Sequence, residues 1–263
     1  MSETKRELAE TETPTPPGVE ADSEWIRTGG IREKIASVVQ VLRREGFGGV
    51  AQKLGHWLHY HKTQPRIDAT YGTDTQAWMD MEVLEASGPN LAHARVYAPS
   101  PLYDAQQILK KLPIDFSEYH FVDLGSGKGM MLLVAAEFGF AFVSGVEFGR
   151  AAYEVGLENL KKFRERRPAA PPVEMHFGDA GSFPLPARPL VVYMFNPFGT
   201  EVIQTVLAGM EHSLRSTPRD CWIVYVNPVH HDVFEDCSFL ATEAIQSDRN
   251  KKAPYAIYRA NIV

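Results

Sequence analysis

The sequence predicts an α/β fold in which a doubly wound, seven-stranded and mostly parallel sheet ends in an antiparallel strand. Two observations carry this prediction. Short apolar runs alternate with longer helical segments from about residue 119 onward, which is typical of a parallel sheet covered by helices on both faces. The last two runs follow each other with no obvious helix between them, which indicates an antiparallel finish.

The alternating runs give the bounds of the elements. Strands are predicted at 119–124, 142–147, 173–177, 189–195, 221–227, 238–246 and 255–262. Helices are predicted at 102–112, 129–138, 150–166, 200–215 and 229–235. These segments together form a predicted domain over residues 101–263.

The chain before this domain has a different composition. Residues 1–24 are rich in Glu, Thr and Pro and lack a hydrophobic pattern, so we expect a disordered tail. Residues 25–100 are predicted to form a helical cap or lid extension. Apolar residues fall at helical spacing from Ile31 to Leu42, and a second amphipathic segment runs from Val50 to His61.

The rest of this extension, residues 66–100, is predicted to be irregular. It is rich in Gly, Pro and Asp, and one short helix is expected near Ala77–Glu85.

Charge is distributed unevenly along the chain. The whole protein has 263 residues and a net charge of −6, but residues 26–66 carry eight Lys or Arg against two acids. Three interpretations of this basic block stay open: a cap packed on the following domain, a substrate-binding lid, or a surface that contacts a membrane or a partner protein. Nucleic-acid substrates are less favoured, because the aromatic and basic interleaving of RNA-binding surfaces is not evident.

Three further features favour a cytoplasmic protein. The N-terminus is acidic and lacks the apolar core of a signal peptide. No apolar run approaches the roughly 18–20 residues that span a bilayer. Cys221 and Cys237 are the only cysteines, and no Cys/His ligand spacing occurs, so we expect reduced thiols and no metal site. The oligomeric state is not predicted.

The run FVDLGSGKG, from Phe121 to Gly129, leads from the first predicted strand into a helix. Three kinds of glycine loop compete for it. A Walker A loop fails, because Val122 stands at its first Gly position and Gly129 at its Ser/Thr position. A dinucleotide fingerprint needs G-x-G-x-x-G, and Met130 occupies its third Gly position. The observed spacing is D-x-G-x-G-x-G.

This third pattern resembles motif I of the class I S-adenosylmethionine-dependent methyltransferases. Its glycines let the backbone turn sharply and approach the methionine part of the cofactor. Further landmarks follow in the family's order: Glu147 at the end of the second strand, the FGD of Phe177–Asp179 after the third, and Asn196 at the end of the fourth. The resemblance covers roughly residues 97–263. It implies a Rossmann-like fold, S-adenosyl-L-methionine as cofactor and methyltransferase activity.

The resemblance is greatest to uncharacterised bacterial members, and two segments are also similar to the non-SET histone lysine methyltransferases. These segments are motif I itself and VYAPSP, from Val96 to Pro101. In that group the second segment closes over the methionine end of the cofactor, which implies roles for Tyr97 and Ser100. The segment YGTDT, from Tyr71 to Thr75, is a further candidate for this lid.

Each remaining landmark has a chemical reason. An acid at Glu147 can accept hydrogen bonds from both ribose hydroxyls, and Phe148 can lie on the adenine face. The resemblance implies that Asp179 holds the adenine amino group and that the backbone N–H of Ala180 contacts the ring. Lys128 is expected to be a solvent-exposed loop residue. The predicted cofactor-binding residues are Tyr97, Ser100, Asp123, Gly125, Ser126, Gly127, Gly129, Glu147, Phe148, Asp179, Ala180 and Asn196.

The acceptor side is expected at the ends of strands four and five, where Asn196 and Asn227 each precede a proline. Proline fixes the backbone and is expected to hold the Asn side chain outward. The match to the Asn-Pro-Pro-aromatic motif of amino-methylating relatives is partial, and Asn-Pro is also a frequent turn starter. We predict Asn196 and His230 as catalytic residues, with His230 as a candidate general base.

The resulting hypothesis is a methyltransferase that modifies a nitrogen or oxygen atom of a small-molecule or protein acceptor. Two alternatives stay open. One is a nicotinamide-dependent oxidoreductase, and the other is a non-catalytic cofactor-binding protein of the same fold.

Overall fold

The computed structural model describes residue 43 and residues 67–77, 102–196, 198–247 and 254–262. Its centre is a seven-stranded sheet with the strand order β3-β2-β1-β4-β5-β7-β6. Strands β1 to β5 are parallel, and β7 pairs antiparallel with both β5 and β6. The strands are β1 His120–Leu124, β2 Phe142–Glu147, β3 Val173–Phe177, β4 Leu190–Phe195, β5 Cys221–Val226, β6 Leu240–Gln246 and β7 Tyr255–Ala260.

Helices alternate with the parallel strands, so the predicted Rossmann-like α/β fold is confirmed. In the described part of the chain the α-helices are α1 Ile67–Tyr71, α2 Leu102–Leu109, α3 Met130–Glu137, α4 Arg150–Arg166, α5 Thr200–Ser216 and α6 His231–Glu235. Short 3₁₀ turns lie at Phe116–Glu118 and Ala180–Ser182.

The predicted strands are all present, with ends that differ by no more than two residues. Helix α2 ends at Leu109 instead of residue 112, because Lys111 N and Leu112 N bond to carbonyls three residues back and close a tighter turn. Helix α6 begins at His231, two residues later than predicted. Asn227 before it has a φ of 51°, and Val229 N donates to Asn227 O, so the chain turns before the helix starts.

Helix α1 was not predicted, because residues 66–100 were expected to be irregular near this point. It has only five residues, too few for a helical period to be visible in the sequence. Asp68 ties the helix to the turn that follows, because its carboxylate accepts hydrogen bonds from Thr75 N at 2.9 Å and Gln76 N at 3.1 Å.

Several predictions of the sequence fall outside the described residues. These are the tail at 1–24, the two basic amphipathic helices between residues 31 and 61, and all but the first residue of the helix expected at Ala77–Glu85.

The side chains of the strands divide between two cores, one on each face of the sheet. Phe121, Tyr193 and Val224 point to the face covered by α2, α3 and α4. Val122 and Val192 point to the other face, which α5 and α6 cover. Because residues alternate along each strand and both faces are covered, β5 is buried at every position. The carboxyl ends of β1 and β4 lie side by side, and the sheet order reverses between them.

Asp220 joins three strands at the opposite end of the sheet. Its carboxylate accepts hydrogen bonds from Tyr119 Oη at 2.5 Å, Trp222 Nε1 at 3.0 Å and Arg259 Nε at 2.8 Å. Burial opposes the charge of Asp220, but these three donors outweigh it and lower the pKa of the carboxyl group. Burial, together with the bond to Asp220, raises the pKa of Tyr119 to about 12.

Replacement of Asp220 by Asn is expected to lower the free energy of unfolding by about 1–2 kcal/mol at neutral pH, since it removes the charged acceptor shared by Tyr119, Trp222 and the half-exposed Arg259. The folded pKa of Asp220 is depressed, so its contribution is present above the unfolded pKa of about 3.9 and is lost as pH falls through the folded value. Denaturant unfolding from pH 7 to pH 3 checks this.

The matched control for this measurement is Glu165→Gln, which removes an exposed carboxylate from α4. A difference between Asp220→Asn and wild type that persists undiminished at pH 3 would contradict the ion-pair explanation.

Candidate active site

The loop between β1 and α3 has the shape that its glycines permit. Gly125, Gly127 and Gly129 have φ angles of 84°, 53° and 83°, in the left-handed region that side chains disfavour. Gly125 N and Ser126 N both donate to Val146 O at 3.0 Å, which fixes the loop against β2. The alternate glycines are therefore required by the backbone of this loop.

Glu147 at the end of β2 is the central polar group of the site. Its Oε2 accepts a hydrogen bond from Gly127 N and its Oε1 accepts one from Gly149 N, both at 2.7 Å. Burial raises the pKa of Glu147, while hydrogen bonds from the N–H groups of Gly149, Gly127 and Phe148 act in the opposite direction. Each carboxylate oxygen has a second lone pair, so Glu147 can accept further hydrogen bonds.

The segment Phe177–Asp179 lies beside Glu147 and the glycine loop. Gly178 N donates to Glu147 O at 3.0 Å, so the end of β3 is tied to the end of β2. Asp179 caps the following 3₁₀ turn, with its Oδ1 accepting from Gly181 N at 2.8 Å. Ala180 is buried at the start of that turn, and Phe148 is half-buried next to Glu147. The structure thus brings together Gly127, Glu147 and Asp179 at one edge of the sheet.

Asp123 is a second buried carboxyl group in this region, with 4% of its surface exposed. Burial raises its pKa well above the usual value, and the neighbouring negative charge of Glu147 raises it further. Two close carboxyl groups in a site of low polarity raise each other's pKa, and for Glu147 three backbone N–H groups act against that rise.

Two further glycines, which the sequence reasoning missed, allow the close packing of this loop. A Cβ at Gly145 of β2 would lie 2.6 Å from Ser126 Cβ, and a Cβ at Gly156 of α4 would lie 2.5 Å from Met175 Sδ. Ser126, predicted as a cofactor contact, is packed against Gly145 of β2, and its buried Oγ has no hydrogen-bond partner among the described residues. Neither glycine has a positive φ, so no local signal in the sequence distinguishes them.

Lys128 is not the exposed loop residue that we expected. It has 2% of its surface exposed, and its Nζ lies 3.1 Å from Asp74 Oδ2. Asp74 belongs to the YGTDT segment, which is therefore adjacent to the glycine loop. Tyr97 and Ser100, the other predicted lid residues, lie outside the described residues.

The acceptor-side candidates meet at the ends of β4 and β5. Asn196 and Asn227 have φ angles of 39° and 51°, the only non-glycine residues with positive φ in the described part of the chain. Tyr225 Oη donates to Asn196 Oδ1 at 3.3 Å and accepts from His230 N at 3.5 Å. His230 Nδ1 lies 3.2 Å from Thr200 Oγ1.

This arrangement connects Asn196 and His230 through Tyr225, which the sequence reasoning did not single out. Tyr225 is completely buried and lies among apolar residues of β5. The sequence therefore indicates a core residue and gives no sign that its hydroxyl group forms hydrogen bonds. Asn196 has 9% of its surface exposed, so its side chain is not held outward as expected. A left-handed backbone turns it toward Tyr225 instead.

The described residues contain no cluster of three or more metal-ligating side chains. No described helix is long and apolar enough to cross a membrane.

Comparisons with known proteins give no match to a protein-family model and none to a curated protein. Solved structures do resemble the chain. A proposed RNA methyltransferase from Pyrococcus horikoshii is 16% identical, with a TM-score of 0.48 over 78% of this chain and 100% of that one. A proposed S-adenosyl-L-methionine-dependent methyltransferase from Methanococcus maripaludis is 14% identical, with a TM-score of 0.46 over 62% and 87%.

A third solved structure is a SAM-dependent methyltransferase from Aquifex aeolicus. It is 15% identical to this chain, with a TM-score of 0.45 over 60% of this chain and 90% of that one. At such identities and TM-scores these proteins do not transfer a function to this chain, so its own residues must carry the proposal.

The packing of the loop on β2 predicts that Gly145→Ala destabilises the protein by about 1–3 kcal/mol, because the new methyl group displaces Ser126. The matched control is Gly178→Ala, where a Cβ would meet no atom within 4 Å. Denaturant unfolding of both variants checks this prediction. Equal stability of the two variants would contradict the close packing.

Proposed function

We propose that this protein is an S-adenosyl-L-methionine-dependent methyltransferase acting on a nitrogen or oxygen atom of a small-molecule or protein acceptor. The observation that carries the proposal is the bond between the Glu147 carboxylate and Gly127 N. This bond joins a glycine loop to an acid at the end of the next strand. The glycines of that loop do not have the spacing of phosphate-binding loops. That pair lies beside the point where the sheet order reverses, which is where open α/β sheets bind ligands.

The residues of the site fit this cofactor. The loop of Gly125, Gly127 and Gly129 presents backbone without side chains, which allows close approach of the methionine part. Glu147 keeps lone pairs for the ribose hydroxyls. Phe148 would lie on the adenine and Asp179 would hold its amino group. When bound, the cofactor supplies a methyl group on a positively charged sulfur. The sulfur becomes a neutral thioether when the methyl group is transferred, so it is a good leaving group.

The chain's own contribution to transfer would be mainly positioning, because an in-line displacement with a good leaving group needs alignment above all. Asn196 lies at the carboxyl end of β4, next to β1 and its glycine loop. Its left-handed backbone and the bond from Tyr225 fix the amide, which would then orient the acceptor atom. A general-base role for His230 stays a prediction, and its Nδ1 lies beside Thr200.

The nicotinamide alternative is less well supported. A dinucleotide fingerprint needs a glycine for close helix–strand packing at the position where this chain has Met130. Met130 begins α3 and has 3% of its surface exposed, so a large side chain already fills that space.

The cofactor proposal predicts that Glu147→Gln weakens the binding of S-adenosylhomocysteine by at least about tenfold, because the new amide group turns a donor toward Gly127 N or Gly149 N. Isothermal titration calorimetry measures this, with the exposed Glu174→Gln of β3 as control. Wild-type protein that binds NADH and not S-adenosylhomocysteine would overturn the proposal.

Replacement of Asn196 is expected to affect methyl transfer, whereas replacement of Glu147 is expected to affect cofactor binding. Asn196→Gly keeps the left-handed backbone and removes the amide, so we expect the rate of methyl transfer at saturating cofactor to fall at least about tenfold. Asn227→Gly is the matched control, since Asn227 has a similar φ angle at the end of the neighbouring strand.

The measurement is transfer of label from methyl-labelled cofactor to fractionated lysate, which also assigns the acceptor to protein, nucleic acid or small molecules. Equal rates for the two glycine variants would remove Asn196 from the transfer step, and cofactor binding with no labelled fraction would favour a non-catalytic protein.

A further inference from the structure

The segment from Asp68 to Gln76, here called the strap, is bonded to the glycine loop, although Asp74 lies 54 residues before its partner Lys128. We propose that the strap fixes the loop in the shape that binds the cofactor and that Asp74 and Asn159 are positioning residues for this loop. The inference rests on the proposed function and adds residues outside the predicted domain at 101–263 to its cofactor site.

The strap is itself an ordered structure. Asp68 Oδ1 accepts hydrogen bonds from Thr73 Oγ1 at 2.7 Å, Thr75 N at 2.9 Å and Thr75 Oγ1 at 2.8 Å. Its Oδ2 accepts from Gln76 N at 3.1 Å. Thr75 is completely buried. One carboxylate therefore holds four donors, and the peptide at Asp74 is presented in a fixed orientation.

Asn159 of α4 connects the strap to the loop. Its Oδ1 accepts from Asp74 N at 2.8 Å, and its Nδ2 donates to Asp74 O at 2.9 Å and to Lys128 O at 3.0 Å. Asn159 has 1% of its surface exposed, so these bonds form away from water. The side-chain amide thus makes three hydrogen bonds to two backbone segments, out of the four that its two N–H groups and two oxygen lone pairs allow.

An ion pair makes the second connection. Lys128 Nζ lies 3.1 Å from Asp74 Oδ2, and the Lys128 side chain is 3% exposed. A buried ammonium group needs a partner of opposite charge, because the cost of taking it out of water is otherwise not offset. Lys128 lies between Gly127 and Gly129, so a contact that fixes Lys128 also fixes the backbone of the glycine loop. Asp74 and Asn159 thus hold the same loop residue by its side chain and by its carbonyl group.

The physical consequence concerns affinity. A loop that visits other shapes binds its ligand with an apparent Kd that rises as the binding-competent fraction falls. Three glycines give this loop more alternatives than other residues would. The strap removes these alternatives in the free protein, so the cofactor does not have to order the loop when it binds.

The test compares five proteins: wild type, Asp74→Asn, Asp74→Glu, Asn159→Asp and the control Glu158→Gln. Glu158 lies beside Asn159 and pairs with Lys161 at 3.9 Å, and its side chain is 52% exposed against 53% for Asp74, so the control removes an equally exposed carboxylate that is not bonded to the loop. Two quantities are measured. They are the Kd for S-adenosylhomocysteine by calorimetry and the amide hydrogen exchange of residues 125–129 without ligand.

We expect Asp74→Asn to weaken binding about tenfold and to speed exchange in the loop by a similar factor. Asp74→Glu should restore most of both, because it keeps the carboxylate, and Glu158→Gln should match wild type. Asn159→Asp, which retains the acceptor for Asp74 N and loses both donated bonds, should speed loop exchange as well.

Two negative results have different meanings. Wild type that binds S-adenosylhomocysteine, with unchanged affinity and exchange in Asp74→Asn and Asn159→Asp, would overturn the role of the strap and leave the proposed function intact. Wild type that fails to bind would overturn the proposed function, and loop exchange alone would still decide whether the strap holds the loop.

Discussion

The site depends on one buried carboxylate, that of Glu147. It is held by two backbone N–H groups that come from different loops, one after β1 and one after β2. A buried carboxylate without donors would be costly, so the loops must take positions that supply them. The peptide of the same residue also pairs with the end of β3. The relative position of three strand ends is therefore set by satisfying Glu147.

Close packing makes this arrangement possible. The loop rests on β2 only because Gly145 leaves room for Ser126, and α4 approaches only because Gly156 leaves room for Met175. From the same helix, Asn159 reaches the carbonyl group of Lys128. The loop is thus bonded on the β2 side by Glu147 and on the α4 side by Asn159. Glycines make a loop flexible, and here contacts from two opposite sides limit that flexibility.

Much of this architecture could be predicted from the sequence, for physical reasons that differ between residues. Apolar runs such as that of β5 are visible because a strand buried on both faces must be apolar along its length. Gly125, Gly127 and Gly129 are visible because a left-handed backbone demands them. The burial of Lys128 could not be predicted in this way, since its charged partner Asp74 is 54 residues away in the sequence.

The same limit applies to Asn159 and Tyr225, which look ordinary in sequence. Asn159 is one polar residue on an amphipathic helix, and its partner Asp74 is 85 residues distant. Tyr225 lies in an apolar strand and is buried like its neighbours, so its hydroxyl has no local signature. Periodicity reports which face of an element is buried. It does not report which polar atom on that face finds a partner.

These differences divide the site into two halves. The half proposed to bind the cofactor is built from backbone groups and glycines, and few other residue types could replace these glycines. The half proposed to hold the acceptor is built from side chains, with Asn196, Tyr225 and His230 connected by long hydrogen bonds of 3.3 Å and 3.5 Å. Left-handed backbone at a non-glycine residue costs free energy and persists where the surroundings impose it. Asn196 and Asn227 both carry that cost at adjacent strand ends. Of the two, Asn196 stands at the end of the strand that pairs with β1 and accepts the bond from Tyr225, so it is the one that is proposed to orient the acceptor.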